Sequence, residues 1–314
     1  MTGFAKGALT LAVLFAVAAC GKQGDDAATN AQADAAQAAF TRELDLHRQQ
    51  RVADLTRADG WTSLVGLHWI EPGSHYIGTS AGNGIQLAKG PAHFGMIELG
   101  NGRLRFVPEK GVAMMLDGQP LTGETILRAD DAPTGPSVIT FDEGKGIATV
   151  IKRGPRYALR VKHADADSRT GFRGLDYWPA SRDWRVTGRF VAHPPGKTLE
   201  IANIIGTTDP VPNPGAIEFE RDGKAYRIEA LDEGEETLFL VFADRTSGHG
   251  SYPAGRFLDV AKPGAGDTVI LDFNQSYNPP CAFTPFATCP LPPPENRLDL
   301  AIQAGEKTYT HSAP

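Results

Sequence analysis

The stretch from Leu271 to Leu298, LDFNQSYNPPCAFTPFATCPLPPPENRL, constrains this chain more than any other. It opens as a strand, because Val269, Leu271 and Phe273 alternate with Ile270 and Asp272 in a short β-branched and aromatic run. Pro279, Pro280, Pro285, Pro290, Pro292, Pro293 and Pro294 then fix φ and remove backbone donors, which forbids a helix or an inner strand. No charged side chain lies between Tyr277 and Pro294, yet Tyr277, Phe283 and Phe286 are large rings that gain by burial. Loops of this length without secondary structure are usually functional or disordered. The aromatic anchors, with Cys281 and Cys289 among them, argue for an ordered, stapled loop over 274–297.

The other cysteine sets the compartment. Lys6 precedes an apolar run, Ala8 to Ala18, too short to cross a bilayer, and the run ends in small residues as a signal peptide does. Val17-Ala18-Ala19-Cys20 resembles the bacterial lipobox, which implies a lipoprotein signal peptide over 1–19 and a lipid on Cys20. Gly21 rather than Asp after that cysteine points to the outer membrane, periplasmic face, in a Gram-negative cell. Cys281 and Cys289 then remain as an even pair in an oxidising compartment, which favours a disulfide. Zinc is the alternative, but their spacing is longer than that of usual zinc pairs and no histidine is near.

A net charge of −6 argues against nucleic acid as a partner and offers no basic patch for anionic lipid, so membrane attachment would rest on the acyl chains. Residues 20–38 are poor in aromatic and branched side chains and read as a flexible tether, although its alanines permit helix. Phe40, Leu44, His47, Arg51 and Leu55 fall at helical spacing. They predict an amphipathic helix, segment 39–60, reaching back to about Asp34 and stopped by Asp59-Gly60.

From Trp61 onward the pattern is β. Short alternating runs are punctuated by Gly, Pro, Asn or Asp, and no helix-length segment interrupts them, which excludes βαβ folds. The expected fold is mainly β: a small sandwich-like module over 61–165, then a larger barrel or sandwich module over 166–314. In the second, Gly171–Pro179 and Leu298–Ile302 are expected as strands.

Several stretches resemble the bacterial family known as domain of unknown function 1684. They include Asp59-Gly60-Trp61, Ile151-Lys152-Arg153-Gly154, Gly174-Leu175-Asp176-Tyr177, Trp184-Arg185-Val186, Gly255-Arg256-Phe257-Leu258 and the whole of Asp272–Leu298. That resemblance carries no activity with it. Ile70-Glu71-Pro72-Gly73, followed by Ile77-Gly78-Thr79-Ser80, is similar to the opening of forkhead-associated sandwiches. Those domains bind phosphothreonine with an Arg where Thr79 stands here, so the likeness implies a sandwich without phosphopeptide binding.

The chain lacks HExxH, a Walker loop, GxGxxG after a strand and a GxSxG elbow, and no cofactor or metal is implied. The leading expectation is an envelope binding module for a small molecule, glycan or peptide. Its candidate residues are Tyr177, Arg182, Trp184, Arg256, Tyr277, Phe283, Phe286 and Glu295. Aromatics near arginines suit a ligand surface as well as cation–π packing. An inward-facing Arg256 would need a carboxylate, with Asp244 and Glu295 as candidates. The alternatives are an envelope hydrolase using Asp244, His249 and Glu295, and a structural or interaction protein of the envelope.

Overall fold

The computed structural model describes residues 21–264 and 266–310; the expected signal peptide and Cys20 lie outside them. The chain divides into two compact units, one ending at Glu43 and the other beginning at Leu44. The protein is mainly β, with one long helix, Gly21–Leu55, at its N-terminal end. That helix takes in most of the segment read as a tether, and its alanine content explains why, since alanine forfeits least on entering a helix. The helix stops where expected. The Thr62 hydroxyl donates to the Leu55 carbonyl at 2.5 Å, and Gly60 passes so near that a Cβ would stand 2.5 Å from the same carbonyl oxygen.

Two sheets form the N-terminal β half. The first runs in the order Leu64–Ile70, Arg156–His163, Gly146–Arg153, Val138–Phe141, Met115–Leu116, Gln119–Pro120. The second runs Ile85–Gln86, Gly73–Gly78, Gly95–Gly100, Arg103–Pro108, Thr125–Leu127. Between them lies a core that includes Ile77, Phe94, Ile97, Phe106, Phe141, Val150, Leu159 and Val161. Phe94 packs edge-on against Phe141 with ring centroids 5.0 Å apart.

Register decides what the other face of the first sheet carries. Thr149 pairs with Arg160, Ile151 with Ala158 and Arg153 with Arg156, so these six side chains share one face, opposite Val150 and Leu159. That face is turned to the C-terminal half.

The C-terminal half is built on a four-stranded antiparallel sheet, Lys224–Ala230, Gly215–Arg221, Arg185–Ala192, Thr268–Asp272, with a separate pair Thr237–Phe242 and Arg256–Ala261. A second core gathers Ile217, Phe219, Leu240, Phe242, Leu258, Leu271, Phe273 and Ile302. No sheet of the described residues closes into a barrel, so of the barrel or sandwich expected here the barrel is excluded.

Two expected strands are absent. Leu298, Leu300 and Ile302 are buried in alternation, as a strand would bury them, but their backbone is claimed otherwise. The Ile302 N–H donates to the Asp244 carboxylate at 2.7 Å, and the Leu300 carbonyl accepts from the Arg245 N–H. Gly171–Pro179 contributes a single bridge, Tyr177 to Glu306, because Gly174 takes a positive φ of 98° that breaks the run. A third cluster, with Leu64, Ile201, Val241, Phe257, Ala287 and Cys289, joins the two halves.

Candidate functional site

The proline-rich loop is ordered by three short 3-10 turns, Phe273–Gln275, Pro280–Ala282 and Pro294–Asn296, and by a disulfide between Cys281 and Cys289, whose Cα atoms are 6.2 Å apart. Asn296 ties its end into the sheets, accepting from the Glu229 N–H and donating to the Glu229 and Val241 carbonyls. The loop's middle, Ala287–Pro290, lies against the Arg153 and Arg160 face of the N-terminal half. A cavity of about 390 Å³ opens at this junction.

Its walls have distinct chemistry. Trp61, Phe239, Phe257 and Tyr277 supply rings. Arg153 and Arg160 stand on one side, each within 3.3 Å of the same Thr288 hydroxyl. Glu233 and Asp259 supply carboxylates, and the Tyr277 hydroxyl donates to Asp259 at 2.9 Å. Arg51, from the helix, lies 4.6 Å from the Tyr277 ring centroid and is fixed by Glu306 at 2.8 Å.

Electrostatics differ across the cavity. Burial pushes the Arg160 guanidinium down to about 10, and the neighbouring Arg153 charge adds to that depression. Loss of hydration among the walls raises the carboxyls of Asp259 and Glu233 above their ordinary range, although both keep contact with solvent. Burial likewise raises the Tyr277 phenol, and the adjacent Asp259 carboxylate reinforces this.

Of the residues that the sequence marked for ligand binding, Tyr277 lines this cavity, as does Cys289 of the disulfide. Phe283 is buried between Phe172 and Tyr309, with centroids 6.5 and 4.9 Å away. Phe286 packs into the junction cluster. Tyr177 lies under Arg48 at 4.2 Å, and burial raises its phenol. Trp184 is wedged between Phe273 and the Arg221 guanidinium. Arg182 and Glu295 are exposed.

Arg256 is fully buried in the C-terminal half. Its guanidinium donates to the Ile302 and Ala304 carbonyls and meets Asp244 at 3.4 Å. Of the two carboxylates considered as its partner, Asp244 is the one in place. The same carboxylate accepts from the Thr246 hydroxyl, whereas His249 is exposed and held near the Ser247 carbonyl. Among the described residues no hydrogen bond or ion pair joins Asp244, His249 and Glu295.

The sequence did not single out Arg160, Asp259, Glu233 or Thr288. Trp61 and Arg153 were visible only inside the motifs that carry the family resemblance.

Residues 170–307 match the family described as "Protein of unknown function (DUF1684)". The chain is also 31% identical to an uncharacterised protein of Haloarcula marismortui solved by solution NMR, over 45% of this chain and 79% of that one, with a TM-score of 0.38. The DUF1684 resemblance is thus borne out over residues 170–307. No curated protein matches it. The forkhead-associated likeness of the N-terminal half is not confirmed by these matches. The DUF1684 region supplies Glu233, Phe239, Phe257, Asp259, Tyr277 and the proline loop to the cavity, while Arg51, Trp61, Arg153 and Arg160 come from outside it. A DUF1684 region alone would therefore lack Trp61 and the paired guanidiniums of this site.

Proposed function

We propose that this protein is an envelope binding module, anchored through a lipid on Cys20, that takes a small molecule into the cavity between its β halves. One observation carries the reading: the cavity combines a ring-lined wall with a few convergent polar groups, the composition of small-molecule sites. The disulfide and the prolines support it further, because a wall that is already rigid loses little entropy on binding. The helix, the N-terminal half and the C-terminal half all contribute to one small volume. The lipobox and the even cysteine pair support placement in the periplasm, on the inner face of the outer membrane in a Gram-negative cell.

A thermal-shift screen of small envelope metabolites, glycans and short peptides against the full chain tests this. A ligand at 100 times its Kd should stabilise the fold by about 2.7 kcal/mol. Trp61→Ala should abolish that shift while lowering the unliganded melting temperature only modestly, since Trp61 is partly buried at the edge of the junction cluster. A shift that persists in Trp61→Ala would place the ligand elsewhere. For the anchor, Cys20→Ala should release the protein from the membrane fraction or stall its processing, and an unmodified mature N-terminus would refute lipidation.

A further inference from the structure

Arg160 shares an unpartnered Nε with Arg48, Arg221 and Arg256, but unlike Arg256 it has no carboxylate in an ion pair among the described residues. Its Nη2 reaches the Thr288 hydroxyl at 3.3 Å, and its buried Nε has no partner. Arg153 brings a second guanidinium to the same hydroxyl, also at 3.3 Å. A hydroxyl is a neutral acceptor, so two cations converge there on an atom that cannot compensate either of them. The carboxylate whose charge acts on Arg160 is Asp130, and it is already engaged. Asp130 meets Arg153 at 2.8 Å and accepts the Lys152 N–H at 2.8 Å. Lys162, next along the same face, spends its ammonium on the Asp59 carbonyl at 2.6 Å and adds positive charge. Neither acid of the opposite wall, Asp259 or Glu233, is among the charges that act on Arg160, and Asp259 interacts with Tyr277, Arg51 and His47.

Resting on the binding reading above, we infer that the cavity takes a small organic oxyanion, its carboxylate or phosphate seated on the guanidiniums of Arg153 and Arg160, its flat body against Trp61. Guanidinium forks match planar carboxylates and phosphates with paired hydrogen bonds, and a partly desolvated fork binds them more strongly than a hydrated one. The orphaned Nε beside a loosely held Nη2 is the edge such an anion would occupy. Thr288 would keep one hydrogen bond to the incoming oxygen by turning its hydroxyl into a donor.

Isothermal titration of the detergent-solubilised full chain with phenylacetate, phenylphosphate and the neutral phenylacetamide tests the inference. At least one acid should bind about tenfold or more tightly than the amide, the usual worth of a charged hydrogen bond. Which acid leads distinguishes carboxylate from phosphate. Arg160→Gln should weaken the acid by about the same factor and leave the amide unchanged. Exposed Arg103→Gln, remote from the cavity, should change neither, and Arg160→Lys should recover only part of the affinity because it restores charge without the fork. Equal binding of acid and amide, unaltered in Arg160→Gln, would overturn the anion seat while leaving a binding cavity in place. No heat from any probe at millimolar concentration, with fold intact by circular dichroism, would bring down both readings.

Discussion

Two arginines, both drawn out of water, sit in opposite circumstances. Arg256, in the clasp that holds residues 302–306, is completely buried, yet all but its Nε is met by a carboxylate and the Ile302 and Ala304 carbonyls. Arg160, at the junction cavity, is only half-buried and has a threonine hydroxyl. Burial alone therefore does not separate the two; what separates them is the carboxylate that Arg256 has and Arg160 lacks. The same segment is tied further by Glu306, which receives Arg51 on one carboxylate oxygen and the Asn278 N–H on the other. The cavity gives Arg153 a carboxylate in Asp130 but leaves Arg160 with the Thr288 hydroxyl.

The sharpest way to break this comparison is at the clasp. Arg256→Met strands the buried Asp244 carboxylate and frees two carbonyls, so stability should fall by about 3–5 kcal/mol in urea denaturation. Asp244 is further tied to Thr246 and the Ile302 N–H, so part of its charge stays solvated by protein dipoles. A loss below about 1 kcal/mol would show that the pair is not a structural keystone. Removing the staple, in the Cys281→Ser and Cys289→Ser double variant, comes next. By loop-closure entropy the expected loss is about 2–3 kcal/mol, and reducing agent should produce the same shift in the wild type and none in the variant.

Arg160→Met should do the reverse of Arg256→Met. It replaces an uncompensated guanidinium with an apolar chain of similar length, so stability should hold or rise by about 1 kcal/mol. A loss as large as that of Arg256→Met would mean that Thr288 and the loop depend on Arg160, and the two arginines would no longer differ in kind.

What the sequence disclosed follows the same division. Arg256 was legible because a strand arginine flanked by Gly255 and Phe257 must find an acid if it points inward, and Asp244 was one of its two candidates. The helix was legible from its spacing, and the disulfide from the expected compartment and the even count of the remaining cysteines. Arg160 was not legible. In Arg156–Ala158–Arg160–Lys162 the charged residues alternate as on a solvated strand face, and Thr288, the loop residue that covers the face, lies 128 residues away. A tertiary junction that forms from separate halves leaves no local signature, whereas prolines, cysteines and periodicity do. The absent strand at Leu298–Ile302 adds the complementary point: its burial pattern was readable, but the capture of the Ile302 N–H by Asp244 was not.

The smallest expected effect tests the acidic side of the cavity, where Asp259 should behave as a group that folding partly dehydrates. Its carboxyl is raised chiefly by lost hydration, with the Tyr277 hydroxyl, Arg51 and His47 pulling the other way and Glu233 standing near as a second raised acid. A raised carboxyl binds its proton more tightly in the folded than in the unfolded state, so its contribution is fully present at low pH. That contribution is lost as pH climbs from the ordinary carboxylate range, about 4, through the folded value, and above it the loss is complete. Asp259→Asn keeps an oxygen to accept the Tyr277 hydroxyl at the present 2.9 Å and has no charge to dehydrate. Stability measured by urea denaturation across this range should therefore fall less steeply in Asp259→Asn than in wild type. The gap should open as pH rises and then level off. Because Asp259 retains solvent contact, the gap should be small, and adding Glu233→Gln should widen it. Parallel curves would show that the acidic wall is ordinary surface, leaving the guanidinium side as the cavity's one strained wall. A gap that opens as pH falls would reverse the sign and mean that Arg51 dominates the carboxylate instead.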